Sequence, residues 1–186
     1  GRPYPAHSSY AYSKRMVDVQ ICAYHQQYNT NFCSVIPGNI FGEHDNFNLK
    51  DGHVVPSLIH KCYVAKRDGT PLEAWGDGTP YREFLYAQDV AKVCVRLLEN
   101  HVELPRRIIV SGQKETQIKD LVALVCNAFD YHNVKWLTDK PNGQLRRPTN
   151  KEVFNRILGD FVYTDLCDAM KNTVEWFETN FPKVRT

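Results

Sequence analysis

No two of the six cysteines, Cys22, Cys33, Cys62, Cys94, Cys126 and Cys167, fall within a C-x2-4-C spacing. The chain therefore carries no cysteine metal-binding motif. It also lacks an Asn-x-Ser/Thr acceptor, a secretory leader and any apolar run of the roughly 20 residues that a membrane span needs. With most cysteines at apolar positions, where a reduced thiol behaves as a small hydrophobe, these absences give a cytoplasmic protein without a membrane partner. A surplus of one charge is missing too. Lys and Arg number 23 against 21 Asp and Glu, interspersed, for a net +2. That balance excludes an extended nucleic-acid face and leaves room for a small anion pocket.

What is present is a chain of 186 residues, 42% of them hydrophobic, which is enough to bury a core. From Tyr10 to about Tyr28, the residues Tyr12, Met16, Val19, Ala23 and Tyr24 recur at three and four and predict a helix with an apolar stripe. A strand at Phe32–Ile36 is expected to stop at Pro37-Gly38-Asn39, and 41–52 reads as a functional loop. Helices are expected at Val54–Lys66, Gln88–Glu99, Gln117–Phe129, Val153–Leu158 and Leu166–Phe177. Strands are expected at Leu72–Trp75, Arg82–Leu85, Arg107–Val110 and Val134–Leu137, and 138–150 reads as a long loop. In Gln88–Glu99 the face of Val90, Val93, Leu97 and Leu98 is expected to be buried. Helices alternating with short, continuously apolar strands give an α/β class with parallel pairing.

Several residues have the chemistry of a site. Tyr10 and Lys14 are four apart on a helix, hence on one face. A cation one turn from a phenol favours the ionised form, which suits a tyrosine that gives and takes a proton. On pattern alone, a catalytic Tyr10 and a structural one packing beside Tyr12 fit equally. Tyr131 and Lys135 repeat the spacing at a helix end, where it carries no such meaning. His53, ahead of a helix, is placed either to exchange protons near neutral pH or simply to cap. His44, His53 and His60 are too widely spaced, and too poorly supported by neighbours, to be read as a metal site. Arg82 has the planar fork that grips a diphosphate, and Lys61, Arg146 and Arg147 offer further positive charge. Trp75 reads as core, with a base-pocket wall as the other reading.

Taken in order, Tyr10-Ala11-Tyr12-Ser13-Lys14-Arg15-Met16, Val35-Ile36-Pro37-Gly38-Asn39-Ile40-Phe41-Gly42, His44-Asp45-Asn46-Phe47, His53-Val54-Val55-Pro56, Trp75-Gly76-Asp77-Gly78 and Arg82-Glu83-Phe84 resemble the GDP-L-fucose synthases. These belong to the extended short-chain dehydrogenase/reductase superfamily. Lys140-Pro141-Asn142-Gly143-Gln144 and Trp176-Phe177 extend the likeness to the tail. Gly38 stands where that family commonly has threonine, Glu43 where it has proline, and Arg146-Arg147-Pro148-Thr149 diverges.

The resemblance implies the carboxyl-terminal part of an enzyme that epimerises GDP-4-keto-6-deoxy-D-mannose at C3 and C5 and reduces C4 with NADPH, giving GDP-L-fucose and NADP+. In that reading Tyr10 is the acid at the C4 oxygen. Lys14 assists it and holds the nicotinamide ribose, and His53 serves epimerisation. Pro37, Asn39 and Ile40 line the cofactor. Asn39, His53, Lys61, Trp75, Arg82 and Arg147 bind the GDP-sugar.

The resemblance also implies a later part of an NAD(P)-binding doubly wound fold, over 1–42 and 86–112, interrupted by a small α/β substrate domain over 43–85 and 113–186. The glycine-rich phosphate turn, the Ser or Thr beside Tyr10, and a cysteine partner for His53 are expected upstream; none of the six cysteines matches that partner. A homodimer is expected for the whole protein, and the chain alone is expected to need its missing amino-terminal half. Two rivals are another nucleotide-sugar epimerase or dehydratase, and a non-catalytic binding half-domain.

Overall fold

The computed structural model describes residues 2, 3, 5, 8–99 and 104–186. Of the expected dinucleotide-binding segments, residues 1, 4, 6, 7 and 100–103 lie outside the described residues.

Helix α1 (Ser8–Tyr28) leads into strand β1 (Ser34–Pro37), which pairs in parallel with β5 (Arg107–Val110). Strand β2 (Asn39–Phe41) pairs in parallel with β4 (Tyr81–Tyr86), and β4 pairs antiparallel with β6 (Glu115–Gln117). The third sheet joins β3 (Leu72–Trp75) to β7 (Val134–Leu137) in parallel. Around these lie α2 (Val54–Asp68), α3 (Ala87–Glu99), α4 (Ile118–Phe129), α5 (Glu152–Leu158) and α6 (Leu166–Asn180). This is the α/β class with parallel strands that the sequence pattern gave.

Two apolar cores form. The larger packs α2, α4 and α6 over β3, through Ile59, Leu121, Val125, Phe129, Met170 and Phe177 among others. The smaller joins Leu85, Val93, Leu97, Ile108 and Val110 with Phe154 and Leu158 of α5. Cys62 and Cys126 are buried in the larger core, and all six cysteines are free thiols. A hydrogen bond with Cys126, then burial, holds the Cys62 thiol well above the ordinary thiol range.

Four points of the sequence reading change. Pro37-Gly38-Asn39 ends the strand as expected, at Pro37, but a second strand unmarked in the sequence, β2, begins at once with Asn39. Gly38 donates its N–H to the Val110 carbonyl at 2.7 Å. The chain thereby crosses from one sheet to the next in a single residue. Second, the stripe on α1 is not packed into this chain, since no residue of that helix is buried. The helix is anchored at its edge instead, by Asp18 facing Arg107 at 3.7 Å and by the Tyr24 and Phe32 rings 5.8 Å apart.

Third, Leu98 is 80% exposed, and Asp89 takes its expected place inside. The inward face of α3 runs Asp89, Val93, Leu97, at steps of four, so Leu98 is turned about 100° away. The buried Asp89 carboxylate accepts from Thr164 N–H and hydroxyl, each at 2.8 Å. Fourth, Trp75 is not core. In β3, Leu72 and Ala74 face inward, so the alternation sends Glu73 and Trp75 outward, Trp75 to 60% exposure.

Candidate functional site

The residues singled out in the sequence fall into three local groups. The first is on α1. Tyr10 is 66% exposed, and the Lys14 ammonium lies 5.6 Å from its ring centre. The Ser13 hydroxyl donates to the Tyr10 carbonyl at 2.8 Å and tightens that first turn. Lys14 faces no carboxylate among the described residues, so its charge is free for an anion or a phenolate. Tyr12 is also exposed, which removes the reading of Tyr10 as a tyrosine packed beside it in this chain's core.

The second group sits at the carboxyl ends of β1 and β5, where an open α/β sheet places its ligands. Pro37, Asn39 and Ile40 are exposed there. The Asn39 side-chain amide donates to the Glu83 carbonyl at 2.8 Å, which fixes the side chain against β4. The next residue back on β4 is Arg82, whose Nη1 donates to the Tyr81 carbonyl at 2.6 Å.

The third group lies between α2 and the turn after β3. His53 precedes α2 in extended conformation, makes no side-chain capping bond, and its ring has no hydrogen-bond partner among the described residues. Its carbonyl accepts from the Ser57 N–H at 3.0 Å. Eight residues on, roughly 12 Å along the helix, the Lys61 ammonium stands 5.5 Å from the Trp75 ring centre. His44 and His60 take no part with His53. The His44 ring packs on Trp176 at 4.5 Å, and His60 Nδ1 donates to the Phe47 carbonyl at 2.8 Å inside the larger core.

One loop ties the second and third groups together. Residues 138–150 run back over the start of β4: the Leu145 carbonyl accepts from Tyr81 N–H at 2.8 Å, and Asn142 Oδ1 accepts from Asp77 N–H at 2.8 Å. Gly76 is required at that crossing. Its φ is +77°, and a Cβ there would lie 2.1 Å from Asn142 Oδ1. Asp77 accepts from the hydroxyl and N–H of Thr79, the hydroxyl bond foremost in holding its carboxyl below the usual range.

The adjacent arginines of this loop part company. Arg146 forks onto Glu115 and holds that carboxyl below the usual glutamate range. Arg147 is exposed and faces no acidic partner among the described residues. Only Arg147 is thus free for a ligand, where the sequence offered both.

Sequence reasoning missed the groups behind this surface. Glu83 is buried and pairs with Lys151 at 3.0 Å, and its second oxygen accepts from the Thr149 hydroxyl. Tyr86 donates to Glu43 at 2.5 Å, and burial, reinforced by that carboxylate, pushes its phenol up to about 12. The available signal was an acid leading into the apolar run Phe84-Leu85-Tyr86, which calls for a partner but does not say which.

Residues 1–112 match the NAD dependent epimerase/dehydratase family. The whole chain is 37% identical to a GDP-L-fucose synthase of Dictyostelium discoideum and covers 58% of that protein. It also superposes on the crystal structure of a GDP-L-fucose synthetase from Naegleria fowleri bound to NADP. That match has a TM-score of 0.91 and 35% identity and covers all of this chain and 60% of the other. A UDP-N-acetylglucosamine 4-epimerase from Methanobrevibacter ruminantium, at 22% identity and a TM-score of 0.78, shares the fold. The chain therefore spans about three fifths of the length of such relatives.

Proposed function

The chain belongs to the NAD dependent epimerase/dehydratase family, and from that premise we propose that the protein carrying it makes GDP-L-fucose from GDP-4-keto-6-deoxy-D-mannose. The observation that carries this reading is the match, over every part of the chain and at 35% identity, to an NADP-bound synthetase of that kind. Epimerisation at C3 and C5 precedes reduction at C4, and bound NADPH supplies the hydride.

The residues present suit that cofactor's nicotinamide end. A phenol and an unpaired ammonium share one exposed helix face, and Pro37, Asn39 and Ile40 are open at the strand ends. Tyr10 gives its proton to the C4 oxygen, and the Lys14 charge supports the phenolate left behind. The C3 and C5 protons are acidic because they flank a ketone. His53, with an uncommitted ring, exchanges them while Tyr10 stabilises the developing enolate oxygen. Arg82, Lys61 and Arg147 supply positive charge for the diphosphate, Trp75 a flat wall for the nucleotide, and Asn39 an amide at the sugar.

We further place residues 1–42 and 86–112 in the dinucleotide-binding part and 43–85 and 113–186 in the substrate-binding part. The glycine-rich turn, the Ser or Thr beside Tyr10 and the cysteine partner of His53 belong to the portion of the relatives' length that this chain does not span. The whole protein is a homodimer in the cytoplasm. Free cysteines support the compartment, and the unburied apolar side chains of α1 support a covering partner for that helix.

The test is NADPH oxidation by the whole protein with the GDP-keto-sugar, run in D2O. The wild type takes deuterium at C3 and C5 and consumes NADPH. His53→Gln loses the deuterium uptake. No NADPH consumption by the wild type would defeat the proposal and leave a binding role as the reading to pursue.

A further inference from the structure

The Glu83 carboxylate, 6% exposed, sits where four separate pieces of the chain meet. Its own strand, β4, carries Arg82. Its backbone carbonyl accepts the Asn39 amide, which ties in the β1 to β2 crossing. One carboxylate oxygen accepts from Thr149 and the other faces the Lys151 ammonium at 3.0 Å, which ties in the end of the 138–150 loop two residues past Arg147. The same two partners reach the segment after β5. The Thr149 hydroxyl is 2.7 Å from the Ser111 hydroxyl, and Lys151 donates to the carbonyls of Gly112 and of Gln113, the latter at 3.2 Å.

The packing leaves this junction little slack. A Cβ at Gly112 would lie 2.1 Å from the Phe84 carbonyl oxygen, so the segment after β5 is pressed against β4 beside Glu83. A buried carboxylate with both oxygens engaged has lost its water and holds its partners in return, because removing it would leave the half-buried Lys151 ammonium without its counter-charge. The loop is also held by Arg146 on Glu115, a pair exposed on its arginine side, and by the bonds of Leu145 and Asn142 to Tyr81 and Asp77. Of these ties, the one at Glu83 also reaches the Asn39 side chain, through the Glu83 carbonyl.

We propose that Glu83 is a positioning residue: through Thr149 and Lys151 it sets the place of Arg147, and through its strand it sets Arg82 and Asn39, so that the three present one GDP-sugar site. This rests on the functional reading above. Glu83 touches no substrate in this scheme. It acts mainly on the affinity for the nucleotide sugar, through Arg147 and Arg82, and Tyr10 and Lys14 on α1 make no hydrogen bond or ion pair with the junction among the described residues.

The test uses Glu83→Gln and the milder Thr149→Val in the whole protein, with two independent readouts. Hydrogen exchange of the Tyr81, Glu152 and Asn155 amides, which donate to Leu145, Asn150 and Lys151 of this segment, is expected to quicken about tenfold in Glu83→Gln and less in Thr149→Val. Exchange in α3 stays at the wild-type rate, which separates a loosened loop from a failed fold. In steady-state kinetics the KM for the GDP-keto-sugar is expected to rise about tenfold, with the KM for NADPH and kcat within about threefold. Glu83→Asp, which keeps the charge, recovers part of the loss.

Unchanged exchange at these three amides in both variants overturns the proposal whatever the enzyme does. So does faster exchange with an unaltered sugar KM, or an equal rise in both KM values. A wild type without activity toward the sugar sinks the functional reading. The exchange data then still decide whether Glu83 tethers the loop, and its role in that sugar site falls with the reading.

Discussion

Lys61 holds its ammonium 5.5 Å from the centre of the Trp75 ring, joining the middle of α2 to the end of β3 on an exposed face. A cation over an indole in water contributes about 0.5–1 kcal/mol, too little to explain an exposed tryptophan as a stabilising device. Trp75→Ala is therefore expected to leave Tm within about 2 °C while raising the KM for a GDP-sugar several-fold. A large fall in Tm with an unchanged KM would return Trp75 to a structural role.

Tyr10 and Lys14 give a second expectation. Tyr10→Phe removes the proton donor and nothing else from an exposed position, so folding is unaffected and kcat for NADPH oxidation falls by about 10²–10⁴, the usual contribution of a general acid. A kcat within threefold of wild type, measured by absorbance of NADPH, would exclude Tyr10 from the chemistry.

The Glu115 and Arg146 pair makes the 138–150 loop sensitive to acid. The arginine lowers the Glu115 carboxyl in the folded state, so its contribution is complete above the unfolded glutamate value of about 4.3 and is lost as pH falls through the lower folded one. Tryptic cutting between Arg146 and Arg147 is awkward in acid, so the check is exchange of the Tyr81 amide, which donates to the loop's Leu145 carbonyl, corrected for intrinsic rate. Protection is expected to hold from pH 7 to pH 5 and to decline below about 4. In Arg146→Gln the decline is absent because the protection is already reduced.

Tyr86 and Tyr163 give an alkaline counterpart. Burial raises both phenols, Tyr86 with help from Glu43 and Tyr163 with help from Asp89, each to about 12. A folded value above the unfolded one of about 10 means that the neutral phenols stabilise the fold below pH 10, and that this is lost as pH rises toward 12. Absorbance at 295 nm during a rapid alkaline titration should show two phenolates appearing late among the ten tyrosines. Glu43→Gln should bring one of them earlier.

Phe177 is fully buried, with Phe47 at 4.8 Å and the Tyr63 and His60 rings each at 5.5 Å. Phe177→Ala is expected to cost about 3–5 kcal/mol through lost burial and the cavity left behind, read as a shift in the urea midpoint. Loss below 1 kcal/mol would mean that the neighbouring rings collapse into the space.

Much of the fold could be read from the chain because its elements announce themselves locally. Leu72–Trp75 and Val134–Leu137 are short apolar runs between turn residues, and both strands appear with those bounds. The apolar set of α4 has unbroken helical spacing, and nearly all of it is buried. Strand β6, Glu115–Gln117, carries no apolar signature and exists because β4 offers it an edge, so nothing local marks it. Leu98 misled because a leucine beside Leu97 looks like core until the helix face is fixed by Asp89, whose partner Thr164 is far along the chain. The site divides the same way. Tyr10 with Lys14 was legible from spacing on one helix. Glu83 with Lys151, and the fates of Arg146 and Arg147, depend on a loop whose path over β4 no local pattern prescribes.

The single-residue crossing at Gly38 limits how this stretch can change over evolutionary time. Pro37 answers to the register of β5, and Asn39, two positions later, answers to the register of β4. A substitution at Gly38, where a Cβ would meet Ser111 at an ordinary 3.4 Å, can be absorbed by adjusting neighbours. Adding or deleting one residue cannot, because it turns every side chain of one strand to its other face and swings Asn39 off the Glu83 carbonyl. Across relatives position 38 should vary in letter while the segment stays fixed in length.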